Sequence, residues 1–343
     1  MNLRQLSEVL GLSQTTVSRA LNGYPEVSEK TRVRVREAAE RHNYRPSLRA
    51  TSLATGRTMM IGHVIPLSAR EEMVNIIFTD FLAGAGEIYA QNGYAMRLSV
   101  VSDADEVEIY EDMKANGVVD GVLLHAPSEN DQRIPLLDSL KLPFLVHGRA
   151  TGTETPYSWL DVNNRRAIQR ATEHLLELGH RRIALLNGLE SYDFAIRRRS
   201  GYLGALEAAW IAADTSLMRS NEMTEPFGYK AGGEMLDQPN PPTAFIASSF
   251  VMALGVRRAI EERGLIMGRD VSVVCFDDDI SYLPNGSDKP IFTALKSSVR
   301  AAGRRCAELL IAKINDEMPE EQHEQWEAEL VIGPSTGPAP SES

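Results

Sequence analysis

The sequence predicts a two-part protein: an all-α head that carries a helix-turn-helix, and an α/β body of two lobes built on parallel sheets. Three observations predict it. The first 58 residues read as short amphipathic helices around a glycine turn, with no strand. From Met60 onward short apolar runs alternate with helical patterns, which is how a parallel sheet covered on both faces reads. That alternation begins afresh near Asn164, so two similar series follow one another.

The chain has 343 residues, room for two or three domains at roughly 150 residues each. Its 43% hydrophobic content is enough for a sizeable core. No apolar run approaches the ~20 residues that cross a bilayer. The first residues, Met1 to Glu8, alternate polar and apolar types and do not read as a signal peptide. Cys275 and Cys306 each sit in an apolar pattern and read as reduced and structural, so a cytoplasmic location is expected.

Net charge is -11, which at first argues against a nucleic-acid partner. The distribution reverses that: residues 1–58 carry ten Arg or Lys against five acids, and the rest is strongly acidic. A basic head on an acidic body suits a protein that meets phosphate at one end only.

In the head, Leu3, Leu6, Val9 and Leu10 recur at helical spacing. Gly11 stops that helix and Ser13 caps the next. There Val17, Ala20 and Leu21 face inward, while Gln14, Thr15, Ser18 and Arg19 project outward. The second helix of such a pair enters the major groove, where Gln and Arg bond base edges and Thr touches a thymine methyl. A third helix from Ser28 carries Thr31, Val35, Ala38, Ala39 and His42 on one stripe and ends at Tyr44-Arg45-Pro46.

The run Gly11-Leu12-Ser13-Gln14-Thr15-Thr16-Val17-Ser18-Arg19-Ala20-Leu21-Asn22-Gly23, with Val27-Ser28-Glu29-Lys30-Thr31-Arg32 and Tyr44-Arg45-Pro46, strongly resembles the head of the LacI/GalR repressors. The resemblance implies a helix-turn-helix domain at 1–45 and a hinge helix or linker at 46–58. It implies DNA contacts from Ser13, Gln14, Thr15, Thr16, Ser18, Arg19, Asn22, Tyr44, Arg45, Ala50 and Leu53. Leu53 would be the leucine that wedges into the minor groove, part-unstacking a base step and bending the duplex. Ser7 and Leu10 stand where the family usually has alanines.

The resemblance continues through His174-Leu175-Leu176-Glu177-Leu178-Gly179-His180-Arg181-Arg182-Ile183-Ala184, Arg199-Ser200-Gly201-Tyr202, Met252-Ala253-Leu254-Gly255 and Asp270-Val271 through Asp277-Asp278. It implies a periplasmic-binding-protein-like body at 59–333 whose chain crosses between lobes three times. Lobe 1 would hold 61–161 and 293–318, and lobe 2 would hold 162–292 and 324–333. The Gly/Pro/Ser-rich tail 334–343 reads as disordered. No heptad pattern points to a tetramerising coiled coil.

Ligands of such sheets bind beyond the carboxyl ends of the strands. By the resemblance, Arg199 and Asp277 occupy positions that grip a sugar or purine effector; an Asp accepts from hydroxyls and an Arg donates in a rigid fork. Arg149, Trp159 and Asp161 near the crossover join them, with Tyr192 and Phe194 as stacking surfaces. Many members carry Asn-Asp before the Met-Ala-Leu-Gly helix. Here Ser249-Phe250 replace them, and serine supplies only part of the amide's hydrogen bonding. The stretch Leu283 through Arg300 resembles branches that respond to plant or α-linked glucosides.

The function so implied is a DNA-binding regulator, a repressor, controlled by a sugar bound between the lobes. Its partners would be near-palindromic operator DNA and a second copy of itself. Neither a cofactor nor a metal is expected. Two alternatives share the body: a secreted solute-binding protein, which has no use for residues 1–58, and an α/β enzyme. Against an enzyme, Gly84-Ala85-Gly86 lies inside a helical pattern and not at a strand–helix turn, and the histidines lack metal-ligand spacing.

Overall fold

The computed structural model describes residues 1–21, 23–44, 56–66, 76–102, 105–318 and 321–340. It divides into two compact units, Met1–Met59 and Met60–Ser343.

In the first unit, α1 (Leu3–Leu10) opens with a reciprocal cap: Gln5 N–H donates to Asn2 at 2.9 Å and Asn2 N–H donates to Gln5 at 3.0 Å. Gly11, at φ +63°, turns the chain out of the helix. Ser13 accepts from Thr16 N–H at 3.0 Å and starts α2 (Gln14–Leu21). Ser28 does the same for α3 (Glu29–Arg41). Leu6, Leu10, Val17, Ala20, Val35, Ala38 and Ala39 form the core. Val9 and His42, expected on the inner stripes, face solvent instead. Ser7 is buried and its hydroxyl donates to Arg4 O at 2.7 Å, so the polar residue costs the packing no unmet hydrogen bond.

The second unit runs β1 (Met60–Pro66), α4 (Ile76–Gln91), β2 (Ala95–Val101), α5 (Glu106–Ala115), β3 (Gly121–His125), α6 (Arg133–Ser139), β4 (Phe144–His147) and β5 (Trp159–Val162). It continues with α7 (Asn164–Glu177), β6 (Ile183–Asn187), α8 (Asp193–Ala208), β7 (Met218–Ser220), α9 (Glu225–Leu236), β8 (Ala244–Ala247), α10 (Phe250–Glu262) and β9 (Ser272–Asp277). It ends with β10 (Thr293–Lys296), α11 (Val299–Ile314), β11 (His323–Trp326) and β12 (Glu329–Val331). The strands form two six-stranded sheets, ordered β2-β1-β3-β4-β5-β11 and β7-β6-β8-β9-β10-β12. The central strands β3, β6, β8 and β9 are buried at every position, as parallel strands under helices on both faces must be.

Three crossovers join the lobes: Val162 to Asn164, Lys296 to Val299, and Trp326 to Glu329. The lobe boundaries differ from the expected ones at two of them. β10 pairs with β9 in the second sheet, so residues 293–296 belong to lobe 2. β11 pairs with β5 in the first sheet, so residues 323–326 belong to lobe 1. The tail also departs from expectation, because residues 334–340 are docked on lobe 2. Ser335 is fully buried and bridges Val273 O and Thr293 N–H, and Gly337 N–H donates to Ser272. Its short polar side chains satisfy the backbone there, which composition alone does not reveal.

Gly84, inside α4, has a packing role. A Cβ there would lie 2.1 Å from Arg300 O, and Gly303 is equally tight against Phe81 O, so α4 and α11 cross in close contact. That crossing sets the position of Phe78 and Phe81, which face the cleft.

Candidate functional site

The lobes enclose a cleft of about 1200 Å³, counting the solvent at its mouth. The cleft lies where the carboxyl ends of the strands converge, at the switch point expected of such sheets. Lobe 1 contributes Ile77, Phe78 and Phe81 from α4, His125 and His147 at the ends of β3 and β4, Arg149 just after β4, and Asp161 from β5. Lobe 2 contributes Tyr192 and Phe194 at the start of α8, then Arg198, Ser248 and Asp278.

A buried ion cluster closes the seam between the lobes. Arg197 donates to Asp161 at 2.6 Å and also to Asp193. Thr151 N–H of lobe 1 donates to Asp193 at 3.2 Å, and Asp193 N–H donates to Pro127 O at 3.0 Å. Burial works against the charge on Arg197, but the two carboxylates outweigh it and hold its pKa above the usual arginine value. Burial pushes the Asp161 carboxyl up, with Arg197 opposing. A second link lies on α4. Asp80 accepts from Ser281 N–H at 3.1 Å, Ser281 Oγ at 2.8 Å and Arg300 at 3.2 Å, joining α4 to the loop after β9.

Arg198 is the best-held cation of the cleft wall. It donates to Asn164 at 2.7 Å and Ser248 O at 2.6 Å, and its guanidinium lies 4.1 Å from the Phe276 ring and 5.0 Å from Phe194. Burial lowers its pKa to about 10. Burial likewise pushes Asp278 up to about 7, with Arg198 opposing.

Of the residues expected to hold an effector, Arg149, Asp161, Tyr192 and Phe194 line the cleft. Four do not. Arg199 is one helical step past Arg198, so it turns outward, is half exposed and pairs with Glu190 at 3.0 Å. Asp277 ends β9 with its carboxylate accepting Asp279 N–H at 2.9 Å, and Asp278 is the one that reaches the cavity. Ser249 is fully buried as the cap of α10, accepting Met252 N–H at 3.1 Å, and Ser248 lines the cleft. Trp159 stacks on His323 at 5.0 Å and lies beneath Arg149, one layer behind the wall. In three of these a neighbour in the chain, Arg198, Asp278 or Ser248, lines the cleft instead. His125, His147, Phe78 and Phe81 were missed altogether. The strand-end rule contained the signal for the two histidines, since β3 and β4 end on them.

On the head, Gln14, Thr15 and Arg19 are exposed on α2. Ser13 and Thr16 hydrogen-bond each other at 2.8 Å in the cap, and Ser18 is half-buried. Tyr44 packs against the head core, so its ring serves folding more than an open surface. Asn22, Arg45, Ala50 and Leu53 lie outside the described residues, as does most of the expected hinge. Among the described residues no three His, Cys, Asp or Glu are placed to hold a metal, and no helix is long and apolar enough to cross a membrane.

A helix-turn-helix head joined to a two-lobed, cleft-bearing body defines an effector-binding DNA-binding regulator. The family comparisons agree in both parts. Residues 8–47 match the bacterial regulatory proteins of the lacI family, and residues 172–336 match the periplasmic binding protein-like domain. The chain is 44% identical to the HTH-type transcriptional regulator AglR of Rhizobium meliloti (strain 1021), across 100% of this chain and 96% of that protein. It is 31% identical to RafR of Escherichia coli, across 95% and 96%. Among solved structures, the lac repressor dimer bound to operator and the anti-inducer ONPF matches with TM-score 0.83 and 26% identity over 98% of this chain and 99% of that one. The transcriptional regulator CelR–cellobiose complex matches with TM-score 0.71 and 28% identity over 98% and 99%. The chain belongs to the LacI/GalR family of transcriptional regulators. Such relatives are regulators and not enzymes, which sets the enzyme and solute-binding alternatives aside.

Proposed function

We propose that this regulator is a homodimeric repressor released from a near-palindromic operator, or recruited to it, by a glucoside-type sugar held between the lobes. The observation that carries the reading is the pairing of opposite cleft walls. Arg198 and Asp278 offer a fixed donor and a fixed acceptor on one side, and the half-buried Phe78, backed by Phe81, offers apolar surface on the other. A sugar has that same division, with hydroxyls at its edges and C–H groups on its faces. The solved CelR complex, a relative of this chain, holds cellobiose. In the head, Gln14, Thr15 and Arg19 are the base readers, and the lac repressor relative was solved as a dimer on operator.

The test uses the full-length protein and a labelled operator recovered by selection from random DNA. Anisotropy is followed while maltose, trehalose, sucrose and cellobiose are added in turn. At least one should shift operator affinity by tenfold or more. If none alters operator affinity or the protein's thermal stability, the sugar reading fails.

A further inference from the structure

Three neutral histidines sit together in lobe 1, beside the cleft. His63 Nδ1 lies 2.9 Å from His125 Nε2, and His63 Nε2 lies 3.1 Å from the Tyr89 hydroxyl. The three residues thus form one chain from α4 through β1 to the end of β3. His125 is about nine-tenths buried and lines the cavity. Its other ring nitrogen, Nδ1, is buried and has no hydrogen-bond partner among the described residues. Buried polar atoms are almost always paired, so an unpaired nitrogen on a residue that lines a cavity marks a place for a ligand atom.

The surroundings hold that ring in place. The rings of Phe78 and Phe81 meet it edge-on, with centroids at 4.9 and 5.0 Å. The next residue, Ala126, has φ +43°, a conformation that a residue with a Cβ adopts only when its neighbours impose it. Arg133 imposes it here by donating to His125 O at 3.2 Å and Ala126 O at 3.5 Å. The groups facing His125 are His63 on β1, His147 on β4 and Arg133 on α6, and no carboxylate among them is placed to stabilise an imidazolium. Burial, with those neighbours, keeps it neutral.

A neutral chain has a direction. The phenol is the better acid and an unprotonated imidazole nitrogen the better base, so Tyr89 O–H donates to His63 Nε2. His63 then carries its proton on Nδ1 and donates it to His125 Nε2. That leaves His125 with its own proton on Nδ1.

We infer that His125 is a specificity-determining residue of the effector site: its Nδ1–H, oriented by His63 and Tyr89, donates to one uncharged oxygen of the effector. The inference rests on the proposed sugar reading and adds which atom of lobe 1 selects the ligand. Effectors with a hydroxyl or ring oxygen at that point are accepted, and analogues lacking the oxygen are rejected, because the donor stays buried and unpaired. His63 and Tyr89 touch no effector and act by positioning.

Two substitutions separate the ring's two nitrogens. His125→Gln leaves an amide near Nε2 for His63 and removes Nδ1; His125→Asn puts an amide nitrogen near Nδ1 and gives up the His63 bond. Histidine-labelled full-length protein is examined by nitrogen NMR, and the four sugars are titrated by calorimetry. The expected results are an Nδ1-protonated His125, a roughly tenfold loss of sugar affinity in folded His125→Gln, and recovery to within about threefold in His125→Asn. An Nε2-protonated ring, wild-type affinity in His125→Gln, or equal loss in both variants overturns the assignment. A wild-type protein that binds none of the sugars removes the sugar reading alone, and the NMR tautomer then decides whether Nδ1 is the donor.

Discussion

The two lobes share one wiring and differ in chemistry where they face each other. Each is a six-stranded sheet in the same strand order, with its outermost strand supplied by the C-terminal part of the chain. Yet lobe 1 shows the cleft phenyl rings and uncharged histidines from α4, β3 and β4, and keeps its charged pair, Arg149 and Asp161, at the seam. Lobe 2 shows it a buried arginine on two aromatic rings, and a carboxyl. The difference teaches that the shared fold provides only a place, the converging strand ends. The residues at those ends decide what occupies it.

The largest test of that contrast is at the seam. Arg197 of lobe 2 neutralises Asp161 of lobe 1 and Asp193. Arg197→Met should strand two buried carboxylates and cost about 3–5 kcal/mol of stability, read from urea unfolding. A loss under 1 kcal/mol would mean that the lobes do not depend on charge to stay together.

Next comes the lobe 2 wall itself. Arg198→Met keeps the stem packed between Phe194 and Phe276 and removes the donors. Effector affinity should fall by about tenfold to a hundredfold in calorimetry. Unchanged affinity would leave lobe 1 as the main binding wall and invert the comparison.

The third test uses pH. The folded state holds the Asp278 proton up to about pH 7, whereas the unfolded state releases it in the ordinary carboxylate range. Between those values the folded state binds the extra proton, so this group's contribution to stability falls as pH rises and levels off above 7. Asp278→Asn should therefore match wild type near pH 4 and exceed it by about 1 kcal/mol at pH 8, allowing for solvent in the cleft. Sugar affinity of wild type should rise through pH 7, since the carboxylate is the stronger acceptor. A pH-independent difference between the two proteins would place the titration elsewhere.

The smallest effect is expected one residue from the second test. Arg199→Ala removes an exposed pair with Glu190, worth about 0.5 kcal/mol or less. Melting temperature should barely move and effector affinity should stay as it was. A clear loss of affinity would show that the helix presents Arg199 to the cleft when ligand binds.

Sequence alone determined the elements whose information is local. The head was legible because caps and a turn glycine act within four residues: Ser13 on Thr16, Ser28 on Thr31, and Gly11 at positive φ. The long central strands and their helices were legible because burial on both faces leaves continuous apolar runs. The tertiary structure decided the rest. β10, β11 and β12 are three or four residues long, too short for a period, and only pairing with distant strands shows which lobe holds them. Ser335 is a core residue because Val273 and Thr293 meet it there. Arg198 and Arg199 are alike in composition and neighbourhood along the chain. The roughly 100° rotation between successive residues of a helix puts one against Phe276 and the other in water. Residue type alone does not say which of the two faces the cleft, because a side chain's direction is fixed by what packs around its helix or strand.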